Sequence, residues 1–233
     1  MIEKQGLMKP QSADLPMTQI IQVYQSAFAG EPWREVTKCP DRLQRCRSGL
    51  SALEMNEVCG LCQLSPKEEA YTASELTERF KKLSQKFKSV WYVEQKEDDV
   101  SLAAYAWLAT PDEIAEEKYS DTTRMSKWLS DLPERPIVWL DEVFANRAIV
   151  EKGGLKNFYS CIDDMLRYLG SDCLAFRTIS PQMIAATVRD FPTSAYIFAG
   201  DRNRSDIGAV ETAGSIPDWR DLVIIEMERG DIV

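Results

Sequence analysis

The sequence predicts an α/β fold of the α+β kind: a mixed central sheet flanked by helices, with a cysteine-bearing insertion. Three observations predict it. The first is a strand, glycine turn, helix, strand succession between Pro136 and Arg177. Its parts are the apolar run Ile137–Phe144, the turn Lys152-Gly153-Gly154, and a helix with Leu155, Phe158, Ile162, Met165, Leu166 and Leu169 near the 3.6-residue repeat. Gly170 stops that helix, and Cys173–Phe176 is the second strand. A helix that returns between two strands lays them parallel. The second observation is a hairpin in front of this unit, Val90–Glu94 and Val100–Thr110 about the turn Asp98-Asp99. Its strands are antiparallel, so the sheet is mixed. The third is that helices and strands interleave along the whole chain.

Taken in order, residues 1–16 read as a loose leader or a first edge strand. Thr18–Phe28 carries Ile20, Ile21, Val23, Tyr24 and Phe28 at helical spacing, and the stretch Ala29-Gly30-Glu31-Pro32-Trp33 breaks that helix. Residues 34–66 hold four of the six cysteines and few core-forming runs, so they read as an insertion into a single domain spanning 1–233. Ser74 is expected to cap a helix over Glu75–Phe87, with Glu78 in its first turn. Pro111–Leu132 opens acidic and turns helical, and the run Asp112-Glu113…Glu116-Glu117 reads as a solvated face. Beyond the organising unit, Ser180-Pro181 starts a short helix to Val188. Tyr196–Ala199 is a brief strand, 200–218 a polar loop, and Leu222–Met227 a closing strand.

The totals exclude several functions. The chain has 233 residues, 44% hydrophobic and 28% charged, which is ordinary globular composition. Its net charge of −9 and pI of 4.8 repel nucleic acid and anionic membranes. No window of about 18 uninterrupted apolar residues occurs, so no spanning helix is expected. The first residues are polar with no apolar core, so no secretory signal is expected and the cytoplasm is the expected compartment. There is no histidine, which removes histidine triads and histidine metal ligands together.

Cys39, Cys46, Cys59 and Cys62 are spaced C-x6-C-x12-C-x2-C. Thiolates two residues apart, as in Cys59-Gly60-Leu61-Cys62, wrap one ion, and four sulfurs complete a tetrahedral structural zinc site. Such a site has no open position for chemistry and staples a segment without a core of its own. Arg34, Lys38, Arg42, Arg45 and Arg47 crowd the same stretch and favour thiolates. The competing readings are disulfides, which a reducing cytoplasm disfavours, a redox pair at Cys59 and Cys62, and four unrelated thiols. Cys161 and Cys173 read as core.

With these residues in place, the order of elements over 18–33 and 70–228 resembles the GNAT superfamily of acyl-CoA-dependent N-acetyltransferases. Ala27-Phe28-Ala29-Gly30-Glu31-Pro32-Trp33 is similar to the end of that family's first helix, Trp139–Phe144 to its fourth strand, and Leu174–Arg177 with Ser180-Pro181 to its fifth strand and fourth helix. The resemblance implies acetyl-CoA as co-substrate, an amine acceptor (small molecule or protein), and Glu142 as the base on the fourth strand. It implies that backbone at Phe144, Ala145 and Asn146 holds the thioester carbonyl. It also implies that Lys152, Gly153, Gly154, Leu155 and Lys156 hold the pyrophosphate. The signature turn departs from the family's Arg/Gln-x-x-Gly-x-Gly/Ala: Gly153 agrees where Val150 and Leu155 do not. The family's usual acid, a tyrosine in the fourth helix, has no counterpart in Pro181–Val188, and Tyr196 falls outside the motif. These two departures keep a second reading open, a catalytically inactive GNAT-like binding or scaffold protein.

Overall fold

In the computed structural model, residues 3–30, 35–40, 58–59, 62–63, 66, 68–96, 99–119, 124–132, 134–146, 155–178, 180–191, 194–200 and 220–227 are described, with backbone only for 3–5 and 155–160. The strands are β1 (Glu3–Met8), β2 (Thr37–Lys38), β3 (Glu68–Glu69), β4 (Ser89–Lys96), β5 (Asp99–Ala109), β6 (Ile137–Ala145), β7 (Cys173–Thr178), β8 (Ala195–Phe198) and β9 (Asp221–Glu226). The helices are α1 (Met17–Ala29), α2 (Ala73–Leu83), α3 (Pro111–Lys118), α4 (Arg124–Ser130), α5 (Leu155–Leu169) and α6 (Pro181–Asp190).

Seven strands form one sheet in the order β1-β4-β5-β6-β7-β9-β8. The N-terminal segment is thus an edge strand. β6 and β7 are parallel, as the intervening helix requires. The closing strand β9 does not add at the edge: it lies antiparallel between β7 and β8. β2 and β3 make a separate two-stranded ribbon. The polar loop expected over 200–218 falls, but for its first residue, outside the described residues.

Two compact units divide the chain. The first comprises Met1–Lys86, Val93–Ala103 and Phe144–Gly153. Its centre is Tyr24 of α1, 1% exposed, ringed by Phe28 at 4.3 Å, Phe144 at 5.0 Å, Tyr71 at 5.2 Å and Phe80 at 5.7 Å between ring centroids. Stacked and edge-to-face pairs of this kind add about 0.5–1.5 kcal/mol each beyond area burial. α2 begins at Ala73, two residues earlier than expected, so Glu78 lies beyond its first turn. Thr72, not Ser74, is the cap, and Glu75 closes a capping box with it. The helix stops at Leu83, which leaves Phe87 79% exposed.

The second unit comprises Phe87–Tyr92, Ala104–Val143 and Gly154–Val233. Thr110 and Glu113 form a capping box on α3, with Pro111 in the first turn where its missing N–H costs nothing. Asp112, Glu113, Glu116 and Glu117 are exposed, as a solvated face should be. Ile162, Met165, Leu166 and Leu169 turn one side of α5 inward and are buried. Ser180 caps α6 through Met183 N–H.

Candidate functional site

β6 is the strand on which the expected chemistry converges. Its ladder with β7 covers Val138↔Leu174, Trp139↔Ala175 and Leu140↔Phe176. Both strands continue past that point, to Ala145 and to Thr178, and among the described residues no further pair joins β6 to β7. Asp141 and Glu142 are the first residues beyond the end of the ladder.

Strand alternation sends these two carboxylates to opposite faces. Asp141 shares its face with Trp139. Its carboxylate, 2% exposed, takes the Lys118 ammonium of α3 at 2.8 Å and the Trp107 indole N–H at 3.3 Å. Lys118 is 13% exposed and also meets Glu117 at 3.1 Å. Burial pulls its pKa below the ordinary lysine value, opposed first by the Asp141 charge and its hydrogen bond, and further by Glu142. Arg177, next on β7 after the ladder ends, lies over the rings of Tyr119 at 5.3 Å and Trp139 at 5.6 Å. Nothing in the sequence marks Lys118, 23 positions earlier, as the partner of Asp141.

Glu142 takes the other face with Leu140 and Phe144, and is 6% exposed. Asn146 N–H donates to Ser101 O at 2.9 Å, so this donor of the expected carbonyl-holding stretch is engaged within the sheet. Leu155 and Lys156 open α5. Lys152, Gly153 and Gly154 lie outside the described residues.

The cysteine segment comes together as a second site. The sulfurs of Cys39, Cys59 and Cys62 all lie within 4.8 Å of one another. Cys46 lies outside the described residues. Cys39 Sγ and Cys62 Sγ are 3.7 Å apart. A zinc with bonds of about 2.3 Å to sulfur has a tetrahedral edge of about 3.8 Å, so this spacing fits one shared ion. The fold sets the donors with little structure. Cys39 follows β2, Cys59 follows the bridging residue Val58, which pairs with Pro66, and Gln63 N–H closes a turn on Cys59 O at 2.8 Å. Lys38, next to Cys39, is ion-paired on its other side. Its ammonium goes to Glu75, the capping residue of α2, and lies 3.8 Å from Glu68. Burial alone would raise the Glu75 carboxyl, but hydrogen bonds from Lys38 and Thr72 more than offset it and hold it below its usual value.

Neither family models nor curated proteins give a match to the sequence. Solved structures do. A polyamine N-acetyltransferase of Drosophila melanogaster, which catalyses formation of N-acetylagmatine, matches over 97% of this chain and 100% of its own, with TM-score 0.56 and 10% identity. The fold is that of the GNAT acetyltransferases. Lower similarity is found to a Corynebacterium glutamicum structure described as histone acetyltransferase HPA2 and related acetyltransferase (TM-score 0.49, 11% identity, 96% of each chain). An acetyltransferase of the GNAT family from Streptococcus pneumoniae is similar in the same way (TM-score 0.47, 9% identity, 97% of this chain and 100% of that one). Among the described residues no helix is long and apolar enough to cross a membrane.

Proposed function

We propose that this protein is an acyl-CoA-dependent N-acetyltransferase for an amine acceptor, with a structural zinc in its cysteine segment. One observation carries the catalytic part: in a GNAT fold, β6 and β7 part after Leu140↔Phe176 while both strands run on. An open strand side of this kind binds an extended chain that carries amides, and the pantetheine arm of an acyl-CoA is such a chain. Asn146 turns its N–H toward β5, so alternation turns Val143 and Ala145 toward the parting. Their N–H groups are the donors for the arm and for the thioester carbonyl. The reading puts the pyrophosphate against Gly153–Lys156, since the dipole at the start of α5 favours an anion and Lys152 and Lys156 add charge.

In this reading Glu142 takes the proton from the acceptor ammonium. The amine then attacks the thioester carbon, backbone N–H groups hold the oxyanion, and the carbon–sulfur bond breaks to release CoA. Asp141 is no competitor for the role, because its carboxylate is held by Lys118 and Trp107. α6, Pro181–Asp190, contains no tyrosine, so the thiolate leaves without a protein acid from that helix. The acidic chain and the exposed acids of α3 favour a cationic acceptor.

The turn provides the test of this placement. Gly154→Val puts a branched side chain where the backbone must approach the pyrophosphate, and should abolish CoA binding measured by calorimetry while the metal content stays unchanged. Undiminished CoA affinity in that variant would place the cofactor elsewhere.

Zinc is the ion that fits the sulfur set. Cys39, Cys59 and Cys62, with Cys46 as fourth ligand, would hold it with four thiolates and no open position. Protein purified without added metal should carry about one zinc per chain. Sub-stoichiometric metal together with four freely titrating thiols would contradict this.

A further inference from the structure

We propose that Cys39 and Cys62 form a peroxide-sensitive pair, whose oxidation to a disulfide opens the cysteine site and loosens the start of α2. The pairing itself rests on geometry. The loss of metal that accompanies it rests on the zinc reading above.

Sequence spacing couples Cys59 with Cys62, and all three sulfurs lie within 4.8 Å of one another. Cys62 Sγ also has Cys39 Sγ at 3.7 Å, from 23 positions away. The sulfurs also differ in access. Cys39 and Cys59 are each 1% exposed, whereas Cys62 is only half-buried. An oxidant from solvent therefore meets Cys62 first, with Cys39 already in contact behind it. Metal-bound cysteine is held as the thiolate, the reactive form.

The chemistry balances with hydrogen peroxide as the oxidant. Cys62 thiolate attacks one peroxide oxygen, an S–O bond forms, the O–O bond breaks, and the departing hydroxide takes a proton to become water. Cys39 thiolate then attacks the Cys62 sulfur. The S–S bond forms, the S–O bond breaks, and a second hydroxide leaves as water with a second proton. Two electrons pass from the sulfur pair to the peroxide. The bond requires the sulfurs to close from 3.7 Å to about 2.05 Å. That removes two donors from the tetrahedron and releases the ion.

The ribbon carries the change outward. Cys39 directly follows β2, which among the described residues pairs with β3 at Thr37↔Glu69 and Lys38↔Glu68. Lys38 holds Glu75, which accepts from Thr72 N–H at 3.2 Å and so completes the cap of α2. Val36 O accepts from Ala70 N–H at 2.9 Å, and Tyr71 O–H donates to Glu35, whose own N–H donates to Phe28 O at 2.8 Å at the end of α1. Once the sulfurs no longer share an ion, Cys39 shifts toward Cys62 and draws on these links through Lys38.

The test oxidises the purified protein with hydrogen peroxide. Zinc release is followed with a chromogenic chelator, disulfides by non-reducing peptide mass spectrometry, and the first turn of α2 by hydrogen exchange. Cys173 serves as an internal reference, since burial pushes its thiol up to about 11. The expected result is a Cys39–Cys62 linked peptide that accumulates in step with zinc release and faster exchange at Glu75–Thr77, all reversed by dithiothreitol. A Cys59–Cys62 bond in its place, or no Cys39–Cys62 bond in excess peroxide, overturns the proposal. Retained zinc without a disulfide overturns the switch and leaves the zinc reading standing. A Cys39–Cys62 bond in protein that never held zinc upholds the pair and removes the zinc reading.

Discussion

Glu142→Gln is expected to lower acetyl transfer by about 100-fold or more, the usual size of a general-base contribution. The substitution keeps the shape of a side chain that is 6% exposed, so the slot on β6 stays filled. Lys118 keeps its direct partner, since Asp141 is untouched at 2.8 Å. The melting temperature should therefore stay within a few degrees of the parent while turnover collapses. The two effects are read separately, by calorimetry and by release of CoA thiol. Normal turnover combined with a large loss of stability would make Glu142 a structural residue.

Lys118→Met should have the largest effect on stability. It leaves the Asp141 carboxylate, 2% exposed, without its ammonium. Breaking a buried pair from one side typically costs about 3–5 kcal/mol, because the remaining charge is kept from water and has lost its opposite charge. In a domain of this size that is on the order of 10 °C in melting temperature. The double variant Lys118→Met/Asp141→Leu removes both charges and should recover most of the loss, since apolar replacements of buried pairs are often neutral or better. The Trp107 N–H, 3.3 Å from Asp141, then loses its acceptor, which accounts for about 1 kcal/mol that does not return. Equal stability of the single variant and the parent would show that water, not Lys118, satisfies Asp141.

Much of the fold was legible because local pattern and tertiary role agree. The βαβ unit could be read from β6, α5 and β7, since the apolar run, the helical repeat and Gly170 all point one way and handedness permits one arrangement. The Ser180-Pro181 start of α6 was equally plain. Thr72 was missed because both Thr72 and Ser74 are able to cap. The choice fell to Glu75, which sits three positions after Thr72 and is also tied to Lys38, a contact from 37 residues away. The place of β9 between β7 and β8 was hidden for a related reason. Sequence order gives an edge, and only long-range pairing gives an interior position. In the cysteine segment, composition and spacing pointed to a shared ion, and the sulfurs of Cys39, Cys59 and Cys62 do meet. The contact of Cys39 with Cys62 follows from how the ribbon closes, which no spacing rule encodes. The basic residues expected to favour the thiolates carry a further lesson, since Lys38 turns to Glu75 and Glu68. Net local charge does not say which neighbour a flexible ammonium will choose.

The claim at the centre of this account is that the parting of β6 and β7 receives an acyl-CoA. Thermal unfolding with and without acetyl-CoA tests it without assuming an acceptor. At about 100 times its dissociation constant, a ligand of the native state alone adds about 2.7 kcal/mol, equivalent to roughly 5–10 °C for a domain of this length. The account predicts a shift of that size. An unchanged melting temperature at millimolar acetyl-CoA would contradict it and favour a GNAT fold used as a binding or scaffold module.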